Sequence, residues 1–263
     1  VILRKLVGEE PTLNRRYTLK QTCEIAGVSQ TLIITAEQDG RLPPADLKDS
    51  ARGKVRAGYT INQINRIRKM AGTGPRPRKN PFVLGFPNQK GGVSKTTSVV
   101  NFAHYCAIKG YRCLVVDTDP QGSATFSLGY RPDIDVDYAD TIAPYILGDD
   151  ESLIEEGYPP GTSETLDYAV RKTHWDNIDI IPACSQNLSI DALFNQSPVG
   201  QSPVSEMYSR LRNGLLNLGE QYDYIILDGT PSLNPTTMNS LIACDAVFVP
   251  TPAAMLDFAS TIR

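Results

Sequence analysis

The segment Gln89-Lys90-Gly91-Gly92-Val93-Ser94-Lys95-Thr96-Thr97 packs two lysines, two adjacent glycines and three hydroxyls into nine residues. Small residues let backbone N–H groups close around phosphate oxygens, and a helix starting here adds the positive end of its dipole. Lys95 is then placed to meet the β- and γ-phosphates of a nucleoside triphosphate, and the Thr96 hydroxyl can ligate Mg2+. Gly91, Gly92, Val93 and Ser94 supply the loop between. The ordinary pattern G-x-x-x-x-G-K-[ST] requires glycine at positions 89 and 94, where this chain has Gln89 and Ser94. What fits is the deviant form K-G-G-x-x-K-[ST], which adds a second cation, Lys90, at its start.

Two apolar runs end in aspartate. One reads Leu114-Val115-Val116-Asp117-Thr118-Asp119-Pro120, the other Tyr224-Ile225-Ile226-Leu227-Asp228-Gly229-Thr230. A carboxylate at a strand end beside a phosphate loop orients Mg2+ through its water shell. Thr96, Asp117 and Asp228 are therefore the metal-site candidates. A purely structural role for the aspartates explains neither their placement nor Lys90.

These residues need strands and helices to bring them together. Phe82–Phe86 reads as a strand, 95–109 as a helix with Val99, Phe102, Ala103, Cys106 and Ala107 on one stripe. Further strands are expected at Arg112–Asp117, Asp179–Ile181, Tyr224–Leu227 and Ala246–Val249, with helices near 187–195, 204–219 and 234–243. Apolar strands spaced by helices predict a doubly wound, mostly parallel α/β sheet of the P-loop NTPase kind, with ligands at the carboxyl ends of its strands.

Charge divides the 263-residue chain unevenly. Residues 1–80 hold sixteen Lys/Arg against seven Asp/Glu, whereas the remainder holds ten against twenty-two. A Gly- and Pro-rich stretch, Ala71 to Pro81, reads as a linker, which places a basic domain at 1–78 and the nucleotide domain at 79–263. In the basic part, Thr18 caps one short helix, Gly27-Val28-Ser29 turns the chain, and Thr31–Gln38 forms a second. That layout is a helix-turn-helix, with Gln30, Thr31 and Thr35 able to meet base edges. The basic segment Lys48–Arg56 suits a wing whose Arg52, Lys54 and Arg56 add sequence-independent affinity, and Thr60–Met70 an amphipathic helix. The plainer reading is a small helical bundle with a basic face.

Other classes are excluded. No apolar run approaches the ~18–20 residues that span a bilayer, and five dispersed cysteines form no disulfide or zinc pattern. Asp133, Asp135 and Asp137 alternate as in a calcium loop, but Tyr138 and Pro144 stand where glycine and glutamate are needed. His104 reads as a packing residue.

The three motifs together resemble the ParA/MinD family of deviant Walker A ATPases, most closely plasmid-type ParA partition proteins with an N-terminal helix-turn-helix domain. Gly40-Arg41-Leu42-Pro43, Gly58-Tyr59-Thr60-Ile61, Asp179-Ile180-Ile181-Pro182 and Val249-Pro250-Thr251-Pro252 carry the same likeness. The resemblance implies a cytoplasmic, nucleoid-associated enzyme that hydrolyses ATP to ADP and phosphate with Mg2+. It implies Asp119 as the residue positioning the attacking water, Asp117 as support for the Mg2+ and water network, Asp228 on the Mg2+ hydration shell and Thr97 on the α-phosphate. Pro250 and Pro252 would border the nucleotide. Lys90, redundant beside Lys95 within its own loop, would reach the nucleotide of a second subunit in a sandwich dimer. Implied partners are operator DNA, nonspecific DNA for the ATP-bound form, a ParB-type centromere-binding protein, and further copies in a filament; no membrane is involved. The chain begins at Val1 rather than Met, and the family pattern implies more chain beyond Arg263. The competing reading is a nucleotide-responsive transcriptional regulator whose hydrolysis is incidental.

Overall fold

The computed structural model describes residues 16–51, 53–88, 90–148, 165–194 and 203–251. They form two compact units, one running to Arg76 and taking in Ala107–Gly110, the other made of Pro77–Cys106 and the chain from Tyr111 onward.

In the first unit, α1 (Leu19–Ala26) and α2 (Gln30–Gln38) are separated by Gly27, whose φ of 70° closes α1 in the left-handed conformation that glycine adopts without strain. Thr18 and Gln21 form a reciprocal capping box on α1, and the Ser29 hydroxyl accepts from the Leu32 N–H to start α2. A hairpin follows, β1 (Asp46–Ser50) antiparallel to β2 (Gly53–Gly58), and then α3 (Ile61–Ala71) with its own capping box, Thr60 and Gln63. The core gathers Ile33 and Ala36 of α2 with Ile61, Ile64 and Ile67 of α3, as an amphipathic helix over 60–70 requires. The hairpin adds nothing to it, since every β1 residue is exposed, as are the first four of β2.

The second unit is built on a six-stranded sheet. Its elements are β3 (Phe82–Phe86), α4 (Lys95–Lys109), β4 (Cys113–Asp117), α5 (Ser123–Ser127), α6 (Ala143–Leu147), β5 (Arg171–Lys172), β6 (Ile178–Ile181), α7 (Leu188–Leu193), α8 (Val204–Met207), α9 (Arg210–Asn217), β7 (Tyr224–Asp228), α10 (Pro235–Ala243) and β8 (Ala246–Val247). The strand order is β5-β6-β4-β7-β3-β8, parallel throughout except for the antiparallel edge strand β5. β4 and β6 are wholly buried, which is why Cys113–Val116 reads as an unbroken apolar run and β6 is apolar except for Asp179, whose carboxylate accepts from Lys172 and the Tyr222 hydroxyl.

Two expectations change. The helix expected over 204–219 is broken at Tyr208-Ser209, where the Ser209 N–H and hydroxyl both turn back to the Glu206 carbonyl at 3.2 Å. Beyond the break, Arg210 stacks on the Tyr145 ring with its guanidinium carbon 4.8 Å from the centroid. The last strand stops at Val247 rather than Val249; only Phe248 N–H still bonds across to the Gly85 carbonyl.

Close packing against α9 generates the first prediction. A Cβ on Gly214 would stand 2.7 Å from the Tyr145 ring and 2.9 Å from Leu166. Alanine gains about 1 kcal/mol of helix propensity over glycine, but overpacking costs about 1–3 kcal/mol. Gly214→Ala is therefore expected to lower stability in urea unfolding, and a stabilised variant would show that this contact is soft.

Candidate functional site

Strand register levels the ends of three strands. Phe86 of β3 and Asp117 of β4 both pair with Asp228 of β7, which lies between them. The phosphate-loop segment leaves β3 and enters α4 at Lys95, so the loop and both strand-end aspartates meet at the sheet's carboxyl edge. Thr118 secures this edge, donating its N–H at 3.0 Å and hydroxyl at 2.8 Å to the Asp228 carbonyl.

Within the loop, Gly91 and Gly92 are exposed, and no protein atom lies within 4 Å of where a Cβ on either would stand. Packing therefore does not demand glycine at 91, and the open space leaves its backbone accessible to a ligand. Gly92 has φ 74° in addition. Ser94 has φ 63°, in the left-handed region, at the position where the ordinary motif has glycine. Val93 is buried and anchors the loop. Lys95 is 9% exposed, and its Nζ donates to the Lys90 carbonyl at 3.2 Å, so its ammonium lies within the curve of the loop. Lys90 itself is exposed at the rim, and Thr97 is exposed in the first turn of α4.

The two strand-end carboxylates differ in their partners. Asp117 is fully buried; its Oδ2 accepts from the Thr125 N–H and hydroxyl, both at 2.8 Å, and its Oδ1 from the Asp119 N–H at 3.1 Å. Burial, with the charge of Asp228 second, pushes its carboxyl up to about 7 despite those bonds. Asp228 is also buried, but neither of its oxygens accepts a hydrogen bond of normal geometry. Burial pushes it up to about 6; the nearby Thr96 hydroxyl and the charge of Lys95 ease the rise, and the charge of Asp119 adds to it. A buried carboxylate with open lone pairs, beside a threonine hydroxyl and a lysine, is a donor set suited to Mg2+ and its waters. Thr96 and Asp228 fit that role directly, whereas the oxygens of Asp117 are engaged in holding α5 and Asp119. Asp119 is half-buried, and its Oδ1 accepts from Gln121 N–H at 3.0 Å.

Sequence reasoning missed Asn88, whose Oδ1 accepts from the Lys90 N–H and whose Nδ2 donates to the Pro250 carbonyl, each at 2.8 Å. It ties the loop entry to the buried Pro250. An asparagine just ahead of a glycine loop was the available signal. Thr125, which holds Asp117, was also missed. Asp133 and Asp135, from the failed calcium pattern, bond to Ser185 and Arg131. His104 packs its ring on Trp175, centroids 4.1 Å apart. Burial, then the proximity of His174, lowers its pKa.

In the first unit, Gln30, Thr31 and Thr35 are all exposed; Thr31 and Thr35 lie one turn apart on the side of α2 away from the buried Ile33, and Gln30 is the first residue of the helix. Lys54 is exposed on β2. Arg56, on the same strand, has its guanidinium on Glu37 and Tyr59. Arg52 and Pro252 lie outside the described residues.

A loop–helix phosphate cradle at the carboxyl edge of a parallel sheet, with a strand-end aspartate beside it, defines a P-loop NTPase. The family model described as AAA domain (AAA_31) matches residues 82–260. SopA of Escherichia coli K12 is 34% identical over 259 residues, covering 97% of this chain and 63% of SopA, so the chain spans less than two thirds of that relative's length. The chromosome partitioning protein ParA of Caulobacter vibrioides NA1000 is 33% identical over 174 residues, 65% of this chain and 56% of ParA. Cobyrinic acid a,c-diamide synthase from Mycobacterium smegmatis, solved with bound ADP and magnesium, aligns at 32% identity with a TM-score of 0.51, covering 69% of this chain and 66% of the synthase. The chain belongs to the ParA family of P-loop ATPases.

Two predictions follow from the geometry. A non-glycine residue in the left-handed region costs roughly 1–2 kcal/mol, partly offset by glycine's freer unfolded chain. Ser94→Gly is expected to stabilise the chain by up to about 1 kcal/mol in urea unfolding, with phosphate-loop function retained; a destabilised variant would mean the Ser94 side chain makes a necessary contact. The second concerns pH. A carboxyl whose native value is raised holds its proton more tightly when folded, so its contribution to stability is present at low pH. That contribution is lost as pH rises from the ordinary 3.8 toward about 7 for Asp117 and about 6 for Asp228. At neutral pH without Mg2+, Asp228→Asn should therefore be more stable than the parent chain by on the order of 1–3 kcal/mol. It should also gain nothing from added MgCl2, whereas the parent does; equal Mg2+ stabilisation of both would remove Asp228 from the metal site.

Proposed function

We propose that this chain acts as a partition ATPase. It would bind Mg·ATP at residues 90–97 and hydrolyse it to ADP and phosphate in a sandwich dimer, driving segregation of plasmid or chromosomal DNA. The observation that carries the reading is the buried, unpartnered carboxylate of Asp228 held level with the phosphate loop. The relation to SopA and ParA supports the segregation role.

Phosphoryl transfer depends on positioning and charge neutralisation more than on covalent chemistry. The N–H groups of the loop hold the β-phosphate, and Lys95 answers the charge that develops toward the γ-phosphate. Thr97, one residue beyond the metal-binding Thr96, reaches the α-phosphate, and Pro250 borders the nucleotide. Thr96 and Asp228 would hold Mg2+, which would supply charge neutralisation to the triphosphate. Asp119 orients the attacking water and accepts its proton. Asp117 acts behind it, since the bond from the Asp119 N–H fixes the backbone that presents Asp119.

Lys90 serves the other subunit. Two nucleotides facing each other across an interface repel unless each protomer contributes a cation to its neighbour's phosphates. ATP thereby favours the closed pair, and loss of the γ-phosphate loosens it. Residues 1–78 form a winged helix-turn-helix domain that reads the partition operator through Gln30, Thr31 and Thr35 and represses the operon. The ATP-bound dimer holds nonspecific DNA at the nucleoid, and a ParB-type protein on the cargo stimulates turnover.

The test mixes two chains. Lys90→Ala and Asp119→Ala are each expected to be inactive alone, but a mixed dimer has one site with an intact Asp119 and the other chain's Lys90. ATP hydrolysis should reappear in the mixture, and no recovery in demonstrated mixed dimers would sink the trans role of Lys90.

A further inference from the structure

The exposed hairpin of the first unit has no apolar face of its own, and an isolated two-stranded hairpin is marginal in water. Something outside the strands must set its direction. Three donors converge on one carboxylate to do so. Glu37, in the last turn of α2, has a side chain only 5% exposed. Its Oε1 accepts from the Ala45 N–H at 3.0 Å and from the Tyr59 hydroxyl at 2.7 Å, and its Oε2 accepts from Arg56 Nη2 at 2.5 Å. Arg56 Nη1 also donates to the Tyr59 hydroxyl at 2.8 Å. Ala45 immediately precedes β1 and Tyr59 immediately follows β2, so Glu37 grips both feet of the hairpin. Tyr59 is itself fixed, its ring buried and its backbone paired with Tyr17 by two 2.9 Å bonds.

We propose that Glu37, Arg56 and Tyr59 form a brace that sets the angle of the hairpin to α2, making Arg56 a positioning residue rather than a phosphate contact. The proposal rests on the DNA-binding reading of this domain. Turning the Arg56 guanidinium from the buried carboxylate to a phosphate would be a larger loss than one exposed phosphate contact restores, so its geometry is set by Glu37. Lys54, two residues nearer the tip on the same face of β2, is exposed and has no such tie. Sequence alone groups Arg56 with Lys54; the structure separates them. The brace then governs specificity indirectly. Gln30, Thr31 and Thr35 read bases only if the hairpin meets the flanking backbone at the angle that seats α2 in the groove.

The experiment uses the full chain. Duplexes enriched by the parent chain from a random library are compared with scrambled duplexes of the same composition, by fluorescence anisotropy over a salt series. Arg56→Ala should leave the slope of log affinity against log salt unchanged while cutting the selected-to-scrambled ratio roughly tenfold, the scale of one charge-assisted hydrogen bond. Lys54→Ala should do the reverse, lowering the slope by about 0.9 with the ratio kept. Glu37→Gln is the sharpest arm. It removes a negative charge, so simple electrostatics predicts tighter binding, whereas the brace predicts the same loss of ratio as Arg56→Ala. The double variant should be no worse than either single one. Thermal unfolding checks each variant, and Tyr59→Phe, which keeps the buried ring and loses only the hydroxyl, serves should Arg56→Ala fail to fold. A slope lowered by about 0.9 in Arg56→Ala with the ratio intact would overturn the brace while leaving DNA binding standing. A parent chain that enriches no duplex at all would overturn the DNA-binding reading and the brace with it.

Discussion

Two carboxylates, Asp117 and Asp228, end adjacent strands side by side at the carboxyl edge of the sheet, and the burial of both constrains everything around them. The chain answers it asymmetrically. Asp117 is given three donors, from Thr125 and the Asp119 backbone, and so becomes a fixed internal anchor. Asp228 is given none of normal geometry and stays poised for a cation. The strand order makes this possible. Placing β7 between β3 and β4 sets its terminal aspartate level with the entry to the phosphate loop on one side and with Asp117 on the other. Moving either strand by one residue would turn the side chain to the opposite face of the sheet.

The loop shows the same economy of means. Its two glycines leave the backbone bare where nothing of the protein needs the space, while Ser94 holds a conformation that its side chain disfavours. Strain of this sort persists only where the surroundings over-determine it. Here the buried Val93 on one side and the first turn of α4 on the other hold it.

Much of this was legible beforehand for a physical reason. The central strands are buried on both faces, so they read as continuous apolar runs, and helix starts announce themselves through local caps such as Thr18, Ser29 and Thr60. What escaped reading depends on distant partners. Asn88 finds the Pro250 carbonyl 162 residues away, and Arg56 finds Glu37 nineteen residues earlier. Composition places Arg56 in a basic hairpin, but only the fold tells which of its cations is already engaged. The break at Tyr208-Ser209 was hidden likewise, because the apolar spacing runs on through it while the Ser209 bonds to Glu206 interrupt the backbone ladder.

The stacking of Trp175 on His104 has a consequence of a different order. The chain contains a single tryptophan, and it rests against the helix whose first residue is Lys95 of the phosphate-loop segment. Burial lowers the pKa of the imidazole beneath it, and the half-buried indole lies in stacking contact with that ring. A tilt of α4 that alters the 4.1 Å ring spacing would change the indole's surroundings and with them its emission. The protein thus carries its own optical gauge of the phosphate-loop helix, readable in real time without a label.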